Sequence, residues 1–244
     1  MNLDVHLEIS ETERTSLQKA IEVGHQINAS SIRCYPRYEG HVSTIIDRTI
    51  RDLKALRELD PDGKLRFTLE QHEDLTSAEL IQIVDAVGNP NLSLLFDFAN
   101  MVNAFERPFD ALETMAPYIT DVHIKDAKII EDRGGWGQMC CRSGDGDIPQ
   151  AGLLLALLCL GKNDSQVLAY GLEEEVGYYA PPLRFPNEAD DPFIKYRDIS
   201  ETDLAADGDI ARHLASERED ADHLCSHIQD ILKQLHDHAA SYLR

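Results

Sequence analysis

Basic residues are scarce in this chain of 244: 23 Lys and Arg stand against 44 Asp and Glu, a formal net charge of −21 with a pI near 4.7. That deficit argues against a nucleic-acid partner, which needs clustered cations for its phosphates. It also argues against adsorption to an anionic membrane surface. No apolar run approaches the roughly 20 residues of a membrane span, and the opening Met-Asn-Leu-Asp-Val-His has neither a basic segment nor the apolar core of a secretion signal. A cytoplasmic protein is expected. The five cysteines (Cys34, Cys140, Cys141, Cys159 and Cys225) are odd in number and lack zinc-knuckle spacing, which suits reduced thiols. Phosphate-loop and dinucleotide glycine signatures are both missing, and with them the usual support for a nucleotide-binding open sheet.

Hydrophobic residues make up 43% of the chain, enough for one substantial core. Period-two alternation marks strands at 2–10, 31–37, 65–72, 119–126 and 166–173, and a nearly continuous apolar run marks another at 92–100. Helical spacing of apolar residues fills the intervals at 12–27, 41–59, 77–87, 108–118 and 151–160. Residues 134–147 are rich in glycine and read as a loop. After Glu175 a polar, acidic loop with Pro181, Pro182 and Pro186 runs to about Asp207, and a long helix from about Asp209 to Leu243 closes the chain. Strict alternation of strand and helix predicts a parallel sheet with right-handed crossovers. Residues 1–180 read as the α/β domain and 181–244 as a C-terminal loop-and-helix extension.

The strand ends carry the chemistry. Glu70, Asp97, His123 and Glu173 end four consecutive strands, all in the inward phase of the pleat. On the last strand Glu173 and Glu175 share that face with Ala169 and Gly171, leaving Glu174 the weaker choice. In a parallel barrel such ends converge on one face, where sites of that fold are built. Three carboxylates and an imidazole form a hard, oxygen-rich site suited to Mn²⁺ or Mg²⁺, with Co²⁺ or Zn²⁺ admissible.

Together with these four, Glu70-x-His72, Asp97-Phe-Ala-Asn100, His123-Ile-Lys125-Asp126, Gly144-Asp-Gly146-Asp147-Ile148-Pro149 and Leu172-Glu173 resemble the xylose isomerase-like TIM barrels. Within them the chain resembles the sugar phosphate isomerase/epimerase group, which includes hydroxypyruvate isomerases and ketose 3-epimerases. The resemblance spans residues 2–175. It implies that Glu70, Asp97, His123 and Glu173 hold a divalent metal, and that Glu70 and Glu173 also exchange protons with a small-molecule sugar substrate. His72 and Asn100 would border that substrate, and Lys125 and Arg142 would contact its hydroxyls or a phosphate. The implied reaction removes a proton beside a carbonyl, passes through an enediolate, and returns the proton to the adjacent carbon (isomerisation) or to the opposite face (epimerisation). A lyase dehydrating an inosose- or dehydroshikimate-like ring on the same scaffold is the alternative enzyme, and a non-catalytic remnant is the alternative to an enzyme.

In the family's order Glu70 ends strand five, yet two strands precede it here. The expectation is therefore an incomplete barrel of about six parallel strands without the first two βα units, plus the long C-terminal helix. Its two exposed edges invite pairing with another chain, so a homo-oligomer is an admissible assembly. His223 and His227, four residues apart on the closing helix, read as a solvated face before a metal pair. The Cys140-Cys141 pair reads as loop packing, and Tyr178, Tyr179 and Arg184 as a lid or an oligomer contact.

Overall fold

The computed structural model describes residues 3–195 and 210–242. Six short strands carry the architecture: β1 (His6–Glu8), β2 (Ser31–Cys34), β4 (Arg66–Glu70), β5 (Leu92–Asp97), β6 (Ile119–Ile124) and β9 (Ala169–Leu172). They form one all-parallel sheet in the order β1-β2-β4-β5-β6-β9. Among the described residues β1 and β9 each pair on one side only, so the sheet is a half-barrel with two edges, as the resemblance implies.

The outer layer is helical: α1 (Arg14–Ile27), α2 (Val42–Leu53), α3 (Leu56–Leu59), α4 (Ser77–Val87), α5 (Pro108–Met115), α6 (Gln150–Leu158) and the closing helix α7 (Ile210–Tyr242). The main core lies between these layers. Phe67 and Leu69 of β4, Leu94 and Phe96 of β5, and Val122 and Ile124 of β6 are all at most 1% exposed, and they meet apolar positions such as Leu17, Ile45, Leu80 and Leu153. The opposite, concave face is polar. There His6 Nδ1 lies 2.5 Å from Ser31 Oγ, and Arg66 reaches Asp121 at 3.4 Å.

Local chemistry explains several boundaries. α4 opens with a capping box, in which the Thr76 N–H donates to Glu79 Oε2 at 2.8 Å and the Glu79 N–H donates to Thr76 Oγ1 at 3.4 Å. It stops at Gly88, whose φ of +59° suits glycine. Pro108 at the first helical position starts α5.

The structure corrects the sequence expectation in three places. Residues 41–59 form two helices rather than one: the Ala55 N–H bonds the Asp52 carbonyl three residues back at 3.1 Å, tightening the turn between α2 and α3. The glycine-rich stretch at 134–147 is not simply a loop, because β7 (Asp126–Asp132) and β8 (Gly135–Cys141) pair as an antiparallel hairpin. Its turn residues Arg133 and Gly134 both have positive φ, 51° and 84°, the requirement of a tight two-residue hairpin turn. The acidic stretch after Glu175 holds β10 (Tyr179–Ala180), which pairs with β8, and β11 (Phe193–Ile194), which pairs with β3 (Gly40–His41). On α7 Leu224, Ile228 and Ile231 are buried, whereas Leu214 is 63% exposed and Ala221 also faces out. The two ends expected of α7, Asp209 and Leu243, lie outside the described residues.

Candidate metal centre

Glu70 is the last residue of β4 and Asp97 the last of β5, while His123 sits one residue before the end of β6 and Glu173 follows the last residue of β9. Because the strands are parallel, all four side chains arrive at one end of the sheet. One potential ligand atom from each lies within 4.8 Å of the others. Glu70 and Asp97 are at most 1% exposed, and His123 is 6% exposed.

Each side chain is held from outside the cluster. Asp97 Oδ1 accepts the N–H groups of Ala99 and Asn100, both at 2.8 Å, which leaves Oδ2 facing Lys125 Nζ at 3.1 Å. Arg33 Nε lies 2.7 Å from Glu70 Oε2. His123 Nδ1 lies 3.3 Å from Glu70 Oε1 and 3.5 Å from Glu173 Oε1, and its Nε2 lies 3.2 Å from Glu8 Oε1. Lys125 Nζ also reaches Glu173 Oε2 at 3.1 Å and Glu175 Oε2 at 3.2 Å. The glycine motif fixes the tip of β6. Asp126 accepts the N–H groups of Ala127, Gly144, Gly146 and Ile148 at 2.8–3.3 Å, and a Cβ on Gly146 would overlap its carboxylate at 2.0 Å.

These contacts set the proton affinities. Burial opposes a charged His123, but the carboxylates of Glu173, Glu70 and Glu8 outweigh it and push its pKa up to about 12. Burial likewise opposes the Lys125 ammonium, which Asp97, Glu173 and Glu175 hold well above its usual value. Burial acts to raise Glu173, yet Lys125 and His123 hold it far below the usual carboxylate range. Asp97, the most enclosed, is raised by burial against the pull of Lys125.

A divalent ion fits this donor set. Glu70 Oε1 and Asp97 Oδ2 are buried without a directed hydrogen-bond partner among the described residues, although each touches an ion-pair partner. Unspent buried acceptors of this kind call for a counter-ion. Five carboxylates (Glu8, Glu70, Asp97, Glu173 and Glu175) meet only two permanent cations (Arg33 and Lys125) besides His123, so negative charge is in excess and favours a bound cation.

Of the residues expected to border a substrate, the structure places Lys125 in this cluster. His72 turns aside and stacks on Tyr35 with ring centroids 3.8 Å apart, lining a small cleft with Tyr38, Leu183 and Ile194. Asn100 is buried, and its Oδ1 accepts from Gln138 Nε2 at 3.0 Å, tying β8 to the sheet. Arg142 points to α7 and pairs with Asp220 at 2.5 Å and Glu219 at 3.2 Å. His223 and His227 reach the residues on either side of the glycine motif, at Ser143 O (2.9 Å) and Gln150 Oε1 (3.0 Å). Arg184 is an internal tie, 2.8 Å from Glu79 of α4 and 2.5 Å from Glu188. Strand-end spacing does not single out Glu8 and Arg33. Both lie in the inward phase of their strands, paired in register with each other and, through Arg33, with Thr68.

Residues 4–161 match the family described as xylose isomerase-like TIM barrel. This chain belongs to that family. Its members among known proteins include YihM of Escherichia coli (strain K12), an uncharacterized protein that is 48% identical over 235 residues, covering 96% of this chain and 72% of YihM. The fold is shared with an L-ribulose 3-epimerase (TM-score 0.61, 16% identity, 98% of this chain and 78% of that one). It is shared too with a xylose isomerase-like TIM barrel protein from Mycobacterium smegmatis in complex with magnesium (TM-score 0.56, 15% identity, 70% of this chain and 66% of that one). Among the described residues no helix is long and apolar enough to cross a membrane.

Proposed function

We propose that this xylose isomerase-like protein is a divalent-metal-dependent isomerase or epimerase of a sugar, sugar phosphate or related hydroxyketone. The observation that carries the reading is the convergence of Glu70, Asp97, His123 and Glu173 within 4.8 Å at one end of the sheet. Those four residues would hold the ion, with Mn²⁺ or Mg²⁺ favoured by the oxygen-rich set. A bound divalent ion polarises a ketose carbonyl and acidifies the neighbouring C–H.

The protein's own groups do the rest. Glu70 and Glu173 stand on strands separated by β5 and β6, so they approach a substrate from two sides. One takes the proton from the carbon beside the carbonyl and the other returns one. Arg33 holds Glu70 Oε2 at 2.7 Å and leaves Oε1 directed at the cluster, while Lys125 orients Glu173 at 3.1 Å. Burial of Glu70 and Asp97 keeps water off the reacting side.

Proton exchange can be followed across many sugars at once. Protein loaded with Mn²⁺ is incubated in D₂O with a panel of ketoses and ketose phosphates, and deuterium uptake beside the carbonyl is followed by NMR. Uptake by wild type and a fall of at least about 100-fold in Glu70→Gln is the expected result. Loss of water with a new ultraviolet-absorbing conjugated carbonyl would make the protein a lyase instead. Failure of wild type to bind a stoichiometric divalent ion under Mn²⁺ or Mg²⁺ supplementation would overturn the metal assignment.

A further inference from the structure

We propose that Glu8, the last residue of edge strand β1, is a positioning residue that fixes the tautomer of His123 for metal binding. The proposal rests on the metal centre described above and adds to it a residue outside the four ligands. The two ring nitrogens of His123 face different groups. Nδ1 points into the cluster, 3.3 Å from Glu70 Oε1 and 3.5 Å from Glu173 Oε1. Nε2 points away from it, to Glu8 Oε1 at 3.2 Å. An imidazole that ligates through Nδ1 must be neutral and bare at that nitrogen, so its one proton sits on Nε2. A carboxylate accepting from Nε2–H holds the proton there and fixes the ring plane.

Two further features fit this role. Gly171 of β9 gives the ring its place: a Cβ there would meet His123 Cδ2 at 2.9 Å and Nε2 at 3.4 Å. Arg33 holds the other oxygen of Glu8, with Nη2 3.6 Å from Oε2, which orients a carboxylate that is otherwise 48% exposed. β1 thus contributes to the centre without supplying a ligand. Through Arg33 the same network reaches Glu70.

The experiment compares full-length wild type, Glu8→Ala and Glu8→Gln. Mn²⁺ and Zn²⁺ dissociation constants are measured by calorimetry, and the His123 ring is observed by ¹H–¹⁵N NMR in the diamagnetic Zn²⁺-loaded protein. Glu8→Ala is expected to weaken metal binding about 10- to 100-fold and to lose the hydrogen-bonded Nε2–H signal. Glu8→Gln keeps an acceptor oxygen and is expected to restore the signal and much of the affinity. Circular dichroism of the metal-free proteins controls for folding. Wild-type affinity and an unchanged ring in Glu8→Ala would overturn the proposal while leaving the metal centre standing. An equal loss in both variants would assign the effect to charge and overturn it as well. If wild type binds no ion, or His123→Ala binds as tightly as wild type, the centre itself is wrong and the proposal falls with it.

Discussion

In the proposed centre His123 would hold either a proton or the metal at Nδ1, not both. Surrounding carboxylates push its pKa up to about 12, which favours the imidazolium at neutral pH in the metal-free protein, so an ion bound at Nδ1 would have to displace a proton. Metal binding should therefore release protons from His123 and, below neutral pH, from Asp97, whose burial raises its pKa, and affinity should rise at least about tenfold per pH unit between pH 6 and 8. Calorimetry in buffers of different ionisation enthalpy measures both; a pH-independent affinity would show that no proton is displaced from His123 on binding. Lys125 offers a second test. Its ammonium sits 4% exposed among Asp97, Glu173 and Glu175. Lys125→Met leaves those carboxylates without their cation and should destabilise the metal-free protein by about 3–5 kcal/mol. Mn²⁺ should restore part of that loss, as read by urea unfolding with and without metal. The four cluster residues are legible in the sequence because each closes a strand of a regular βα repeat. Glu8 and Arg33 are not, since Glu8 meets His123 across the hollow of the sheet, and Arg33 acts by bridging Glu8 and Glu70 on the two strands beside it. Asn100 and Arg142 have the expected polarity, but their partners Gln138 and Asp220 come from segments whose placement only the fold defines.

At the scale of elements, sequence and structure agree where one signal governs. α4 announces itself through Thr76, Glu79 and Gly88, and the alternating strands through their pleat. The β7–β8 hairpin is hidden because glycine is also the commonest sign of a loop. In β8 glycine marks close approach instead. A Cβ on Gly135 would meet Pro182 Cβ at 2.7 Å, and one on Gly137 would meet the Tyr179 hydroxyl at 2.8 Å. Gly135→Ala should accordingly cost about 1–3 kcal/mol through overpacking against the segment after β10, seen as a lowered urea midpoint with an unchanged slope. α7 can be tested in the same way. Leu224 is 1% exposed, and Leu224→Ala should cost about 2–5 kcal/mol, whereas Leu214→Ala, at a position 63% exposed, should cost little.

For the whole molecule, two quantities legible in the sequence combine: six parallel strands and a formal charge of −21. Self-repulsion at that charge opposes the compact state. Raising NaCl from about 0.01 M to about 0.15 M shortens the screening length from about 30 to about 8 Å and should raise Tm in a fluorescence melt. A Tm that falls would mean attractive ion pairs outweigh the repulsion. The architecture also binds distant parts of the chain. Asp191 takes the Ser43 N–H and hydroxyl at 2.8 Å, closing the first turn of α2 across a sequence separation of 148 residues, and β11 pairs with β3 beside it. During synthesis that turn emerges long before its cap. At ribosomal speed the interval is on the order of ten seconds, so the first turn of α2 gains this cap only after the rest of the sheet has been synthesised.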